Sequence, residues 1–121
     1  MEEKLSDNFL RSEFKCPCCG ADHISMDLVK RLQQVRTMLA RPVVITSGVR
    51  CIKHNAEVGG IPDSAHLSGL AADISVWDNE ERLELVECLL IAGFQRIGLY
   101  ADSDFVHVDI DEGKPKGMWV E

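Results

Sequence analysis

Two stretches of alternating residues constrain this chain more than any other feature. In Ala71–Trp77, Ile74 and Val76 share one parity, and Asp73 and Ser75 share the other. In Phe105–Asp111, Val106, Val108 and Ile110 alternate with His107 and Asp109. Successive side chains of a strand point to opposite faces. Each stretch therefore reads as a strand with an aliphatic side for a core and a polar side left open. If both strands join one sheet, Asp73 and His107 project from the same face.

His66 lies just ahead of the first strand, in "SAHLSGLAADI". Gly69 permits a tight turn that brings His66 back over the polar face. Two imidazoles and one carboxylate would then meet. That is the donor set of a catalytic zinc site, with three protein ligands and a fourth position open to water. A structural zinc is more often closed by four side chains, mainly cysteines. Spacing alone does not establish the site, because a single histidine on a polar strand face has other uses.

The remaining segments give an α+β alternation. Ser25 is an expected N-cap, and Leu28, Leu32, Val35 and Leu39 line one face of a helix that ends before Pro42. "PVVITSG" reads as a short buried strand. From Gly48 to Leu70 the chain is rich in Gly, Ser, Asn and Pro, and reads as a long ordered loop with a little helix near His54. A loop of that length in a small domain is usually functional. "DNEERLELVECLLIAG" is a helix with Asp78 as N-cap, Glu81 completing a capping box and Gly93 as the stop. "FQRIGLYA" is a further strand, and "GKPKGMWVE" adds an edge segment carrying Trp119. The expected fold is a small antiparallel sheet with helices on one face and the metal site on the other.

At 121 residues this is one domain, 1–121, with residues 1–13 as an N-terminal extension. The net charge of -7 and the lack of a Lys/Arg cluster argue against a charge-driven grip on nucleic acid or an anionic membrane. No apolar run approaches the roughly 20 residues needed to span a bilayer. "MEEKLSDNFL" has no apolar core of a secretory signal. The expectation is a monomer made in the cytoplasm, acting elsewhere only if released or delivered.

Five cysteines are present: Cys16, Cys18, Cys19, Cys51 and Cys88. An odd count without a signal segment argues against a secreted disulfide framework. "CPCCGADH" offers a zinc knuckle of Cys16, Cys18, Cys19 and His23, but does not cleanly supply the C-x2-4-C pairs that structural zinc usually uses. The expectation is free thiols in a loop, one of them near Cys51. Cys88 sits in an apolar helical pattern and reads as a core residue.

Three segments resemble a known family. "SAHLSGLAADI" is similar to the S-x-H-x-x-G-x-A-x-D signature of the zinc D-alanyl-D-alanine carboxypeptidases, and "DFVHVD" to their second motif, D-x-x-H-x-D. "ITSGVRCIKHNAEVGGIPDSAH" resembles the segment that precedes the first motif in short phage and bacterial members. The resemblance runs from about Phe14 to Trp119. It places the chain with the lysostaphin-type peptidases and the hedgehog signalling domain, which share a His, Asp, His zinc arrangement. It implies that His66, Asp73 and His107 bind zinc, that Asp104 is the general base and that Arg50 binds substrate. Asp104 must then curl from the turn before its strand, because its odd offset from His107 would otherwise put it on the wrong face.

Ser64 is a candidate for a substrate hydrogen bond or for bracing the loop, and His54 for support behind the site or for simple exposure. Asp102 stands where some members carry a further histidine. An ionised carboxylate cannot donate a hydrogen bond there, so oxyanion stabilisation falls to zinc and Arg50. The resemblance implies a zinc peptidase acting on peptidoglycan stem peptides, of D-alanyl-D-alanine carboxypeptidase type. An endolysin-like endopeptidase cutting L-alanyl-D-glutamate or a cross-link is the alternative within the enzymes. An inactive zinc-stabilised binding module is the alternative outside them.

Overall fold

A computed structural model describes residues 2–121. A small hairpin, β1 (Lys4–Ser6) and β2 (Phe9–Leu10), opens the chain. It leads through a 3-10 turn, Arg11–Phe14, to α1 (Met26–Leu39). Then come β3 (Ile45–Ser47), the short α2 (Ile52–Glu57), a second 3-10 turn, Ala65–Ser68, and β4 (Ala71–Ser75). α3 (Asn79–Ile91), β5 (Arg96–Leu99), β6 (Phe105–Asp109) and β7 (Gly117–Val120) complete the order. The five-stranded sheet runs β3-β4-β6-β5-β7. Its pairs are antiparallel except β5–β7, which is parallel. The α+β class with a mostly antiparallel sheet is as the sequence implied.

The helices form where local chemistry favours them. The Ser25 side chain caps α1 by accepting from the Leu28 N–H at 3.4 Å, and Asp78 caps α3 by accepting from Glu81 N–H at 2.8 Å. The Glu81 carboxylate reaches back to the N–H of Trp77, one residue before the cap, and so closes a slightly wider box than expected. Leu28, Leu32 and Val35 of α1 and Leu85 and Leu89 of α3 are buried against Ala72, Ile74, Ile97, Val106 and Val108 of the sheet. That apolar burial is the main force pressing the two long helices onto one face.

Three details differ from expectation. The strand in "PVVITSG" is only Ile45–Ser47, because it pairs β4 along one edge and its register shifts between Ile45 and Ser47. α2 and the second 3-10 turn lie apart from the helical layer, α2 packing on that turn and the turn on β4. The hairpin within the expected N-terminal extension is docked on the domain: Phe9 is buried in the core, and Ser6 and Asn8 hydrogen-bond Gln33 of α1.

Candidate metal centre

Register builds the site. Ser47, Asp73, His107, Gly98 and Trp119 are successive partners across the five strands, one row running from edge to edge. Asp73 faces His107 directly across the β4–β6 ladder. His66 comes from the 3-10 turn before β4, which ends at Gly69 with φ of 72°. A side chain at Gly69 would also meet the His23 carbonyl oxygen at 2.0 Å, so this turn needs glycine on two counts. The His66 and His107 rings lie 5.2 Å apart, edge to face.

The hydrogen bonds fix the tautomer of one ring and the orientation of both. His66 Nδ1 lies 2.7 Å from the Gly48 carbonyl oxygen. A carbonyl can only accept, so Nδ1 carries the proton and the lone pair sits on Nε2. That Nε2 points at Asp73 Oδ1, 3.3 Å away. His107 stands between two carboxylates, its Nε2 2.8 Å from Asp109 Oδ2 and its Nδ1 3.0 Å from the same Asp73 Oδ1, so either nitrogen can carry the proton of the neutral ring. Two ring nitrogens and a carboxylate oxygen thus converge, with no proton between them when His107 carries its proton on Nε2. A proton on His107 Nδ1 or a cation among the three donors relieves that arrangement. The three donor atoms lie within 4.8 Å of one another, with His66 and Asp73 buried and His107 mostly so.

The electrostatics carry the same signature. Burial alone would raise the Asp73 pKa, but contacts with His107 and His66 outweigh it and hold the carboxyl far below the usual range. Burial would lower the His107 pKa, yet hydrogen bonds to Asp109 and Asp73 raise it. Asp109 is likewise opposed by burial but kept ionised by His107 and Arg96. The donor set suits zinc: two imidazoles and one carboxylate, each ring oriented by an acceptor on its far nitrogen.

Around this cluster, Arg50 donates from Nη2 to Asp73 Oδ2 at 3.0 Å, from Nε to Ser47 Oγ at 3.0 Å and from Nη1 to Asn55 Oδ1 at 3.3 Å. One guanidinium therefore orients the carboxylate that both rings face. Arg96 donates from Nε to Asp109 Oδ1 at 2.7 Å and lies over the Trp119 ring. Trp119 approaches His107 with ring centroids 5.6 Å apart, and its Nε1–H donates to the Tyr100 hydroxyl at 3.2 Å. A side chain at Gly98 would strike the indole at 2.7 Å, so glycine in the row beside His107 leaves Trp119 its place. A pocket of about 440 Å³ opens over the cluster, walled in part by Arg50, Tyr100, Phe105, Trp119 and Glu121.

His66, Asp73, His107, Arg50 and Ser64 are brought together at this pocket. Ser64 accepts from the His66 N–H at 3.2 Å and so braces the turn. Asp104 is not brought there. Its carbonyl accepts from Val76 N–H, which extends the ladder one residue and gives Asp104 the parity of Val106 and Val108. Its side chain lines a separate recess with Trp77, Asp78 and Arg82 at the start of α3. Asp102 is exposed in the turn. His54 sits on α2 and does not wall the pocket. His23 lies apart from the cysteines' sulfurs, its Nε2 against the Leu67 carbonyl.

Sequence reasoning missed Asn55, Tyr100 and Glu121, and gave Trp119 and Arg96 no part. Asn55 comes from α2, whereas the other four share one signal, the β5–β7 pairing. Once β7 lies beside β5, parity sends Trp119 to the face that carries His107.

No helix among the described residues is long and apolar enough to cross a membrane. No curated protein matches the chain. A family model described as Peptidase M15 matches residues 5–109, most of the chain, and takes in both motifs and all three converging donors. With that match and a His-Asp-His cluster built from the register row and the turn before β4, the chain belongs to the Peptidase M15 family of zinc metallopeptidases.

Proposed function

We propose that this chain hydrolyses peptidoglycan stem peptides as a D-alanyl-D-alanine-type carboxypeptidase, with zinc held by His66 Nε2, the Asp73 carboxylate and His107 Nδ1. The observation that carries the metal assignment is the convergence of one nitrogen from each ring on one buried carboxylate oxygen. Zinc in such a set polarises a scissile carbonyl and brings the pKa of water toward about 7. The D-alanyl specificity rests on the likeness of "SAHLSGLAADI" and "DFVHVD" to the two motifs.

The chain's own residues supply orientation and proton handling. The Gly48 carbonyl fixes the His66 tautomer, and with zinc on Nδ1 the His107 proton would sit on Nε2, facing Asp109. Arg50 holds Asp73 and also lines the pocket, which supports its role as the substrate-binding cation. Ser64 serves as the brace of the His66 turn. Burial pushes the Tyr100 phenol up, so it keeps its proton. Its oxygen already accepts from Trp119, which leaves the O–H to donate toward a substrate oxygen, a role Asp102 cannot fill.

Two carboxylates compete for the proton-accepting role. Asp104 has the motif position and needs the turn before β6 to swing. Glu121 already lines the pocket.

Zinc-loaded protein incubated with purified muropeptides should remove a terminal D-alanine, read by mass spectrometry. Cleavage inside the stem or at a cross-link would make it an endopeptidase instead. No cleavage with zinc bound would replace the enzyme by a binding module. Arg50→Lys should raise KM more than it lowers kcat, because a point charge replaces a planar fork. An unchanged kcat/KM would remove Arg50 from substrate binding.

A further inference from the structure

Away from the His-Asp-His cluster, three sulfurs meet. Cys16, Cys19 and Cys51 place their Sγ atoms within 4.8 Å of one another. Two residues, Pro17 and Cys18, separate Cys16 from Cys19, so "CPCC" does contain a C-x2-C pair, hidden by the extra cysteine between them. The partner comes from the far side of Arg50, where Cys51 caps α2. Cys18, from the same turn, has its thiol against that of Cys51 and is a fourth sulfur at hand.

The backbone around these sulfurs is arranged for thiolates. The Cys51 N–H donates to Cys16 Sγ at 3.4 Å, and His54 N–H donates to Cys51 Sγ at 3.4 Å. The turn is closed by Gly20 N–H to the Cys16 carbonyl at 2.9 Å and by Cys16 N–H to the Ala21 carbonyl at 2.8 Å. Burial opposes ionisation of Cys16, but N–H groups of Cys19, Cys51 and Cys18 outweigh it and bring the thiol down to about 7. Thiolate is the form that binds metal.

We propose that Cys16, Cys19 and Cys51 hold a second, structural zinc ion, with Cys18 available to close its coordination. Sulfurs bound to one tetrahedral zinc at about 2.3 Å lie roughly 3.8 Å apart, so small side-chain shifts suffice. A single disulfide would use two of the three sulfurs and leave the third unpaired. Binding releases the thiol protons to solvent. The ion would tie the segment after Phe14 to the loop that carries Arg50, alongside the existing bond from Val49 N–H to the Phe14 carbonyl at 2.8 Å. It would thereby hold Arg50 against Asp73 from outside the active pocket.

Metal analysis of full-length protein, purified with zinc under reducing conditions, tests this independently of catalysis. The wild type should carry two zinc ions. A His66→Ala, His107→Ala variant should keep one. Cys19→Ser, at an exposed position that leaves the core intact, should also keep one. With cobalt(II) in place of zinc, the double histidine variant should retain sulfur-to-metal charge-transfer absorption, and Cys19→Ser should lose it. On wild-type protein, a thiol-specific mercurial should release one zinc. The proposal fails if the wild type holds a single zinc that the histidine substitutions remove, or if the mercurial releases none. It also fails if intact mass shows a metal-free chain lighter by two hydrogens, the mark of a disulfide.

Discussion

Asp73 and His107 face each other because β4 and β6 are in register, whereas Cys16, Cys19 and Cys51 meet where a tight turn touches the loop ahead of α2. The first cluster has one side open to a pocket walled by Arg50, Tyr100 and Trp119. The second is a set of sulfurs with backbone N–H groups behind it. The contrast matches the two uses of zinc: nitrogen and oxygen donors with an open position for chemistry, sulfur donors for structure. The segment Gly48–Cys51 touches both. The Gly48 carbonyl orients His66, Arg50 orients Asp73, and Cys51 donates to Cys16.

The sharpest break in that comparison comes from His107→Ala. It removes one donor from the open cluster and none from the sulfurs. Hydrolysis of stem peptides should fall to the uncatalysed background, and one equivalent of zinc should be lost by metal analysis. Full retention of activity would mean that the ladder pair is not the catalytic centre.

Next in size is the proton acceptor, which only the open cluster requires. General acid–base help is typically worth about 10²–10⁴-fold. Asp104→Asn and Glu121→Gln keep shape and remove the charge. The true base should lose at least about 10²-fold in kcat with zinc still bound, and the other should change little. Loss in Asp104→Asn alone would show that the turn before β6 swings during catalysis. Loss in Glu121→Gln alone would assign the role to the residue the pocket already contains.

Asp109→Asn probes what holds each ligand in place. Asp109 lies 2.8 Å from His107 Nε2 and accepts from Arg96, so it holds the ring angle and would take the Nε2 proton when metal occupies Nδ1. Loss of such an outer partner typically costs about 10- to 100-fold in metal affinity. Competition with a chelator should show that weakening for the histidine-bound zinc only. Equal weakening of both metals would point to a global loss of packing.

What was legible in the sequence divides along the same line. Strand alternation placed Asp73 and His107 on one face, because side-chain parity is a property of the strand itself. His66 followed from Gly69, since the positive φ there turns the chain back over the sheet. Asp104 did not follow, because its face depends on where the ladder stops, and one further bond from Val76 N–H decides that. The sulfur cluster was half visible: the turn is local, but Cys51 arrives by tertiary folding. Trp119 was invisible as a wall, because β7 pairs in parallel with β5 and no local turn announces such a partner.

The smallest expected effect belongs to Trp119, which lies beyond the residues matched by the family model yet packs beside a ligand. Its indole rests where Gly98 has no side chain, under Arg96 and against the His107 ring. It donates to Tyr100, which in turn stacks on Phe105 with centroids 4.8 Å apart. The aromatic wall is thus linked to the metal cluster through contact with one ring, without supplying a donor. Aromatic pairs are worth about 0.5–1.5 kcal/mol beyond area burial, or roughly two- to tenfold in an equilibrium constant. Trp119→Ala should raise KM for a stem peptide by about that factor while kcat falls less, and the sulfur-bound zinc should be unaffected. Trp119→Phe should restore most of the loss, since it keeps a ring over Gly98 and gives up only the bond to Tyr100. If Trp119→Phe is as impaired as Trp119→Ala, the Nε1–H to Tyr100 matters more than the wall. Tyr100→Phe should then show the same defect.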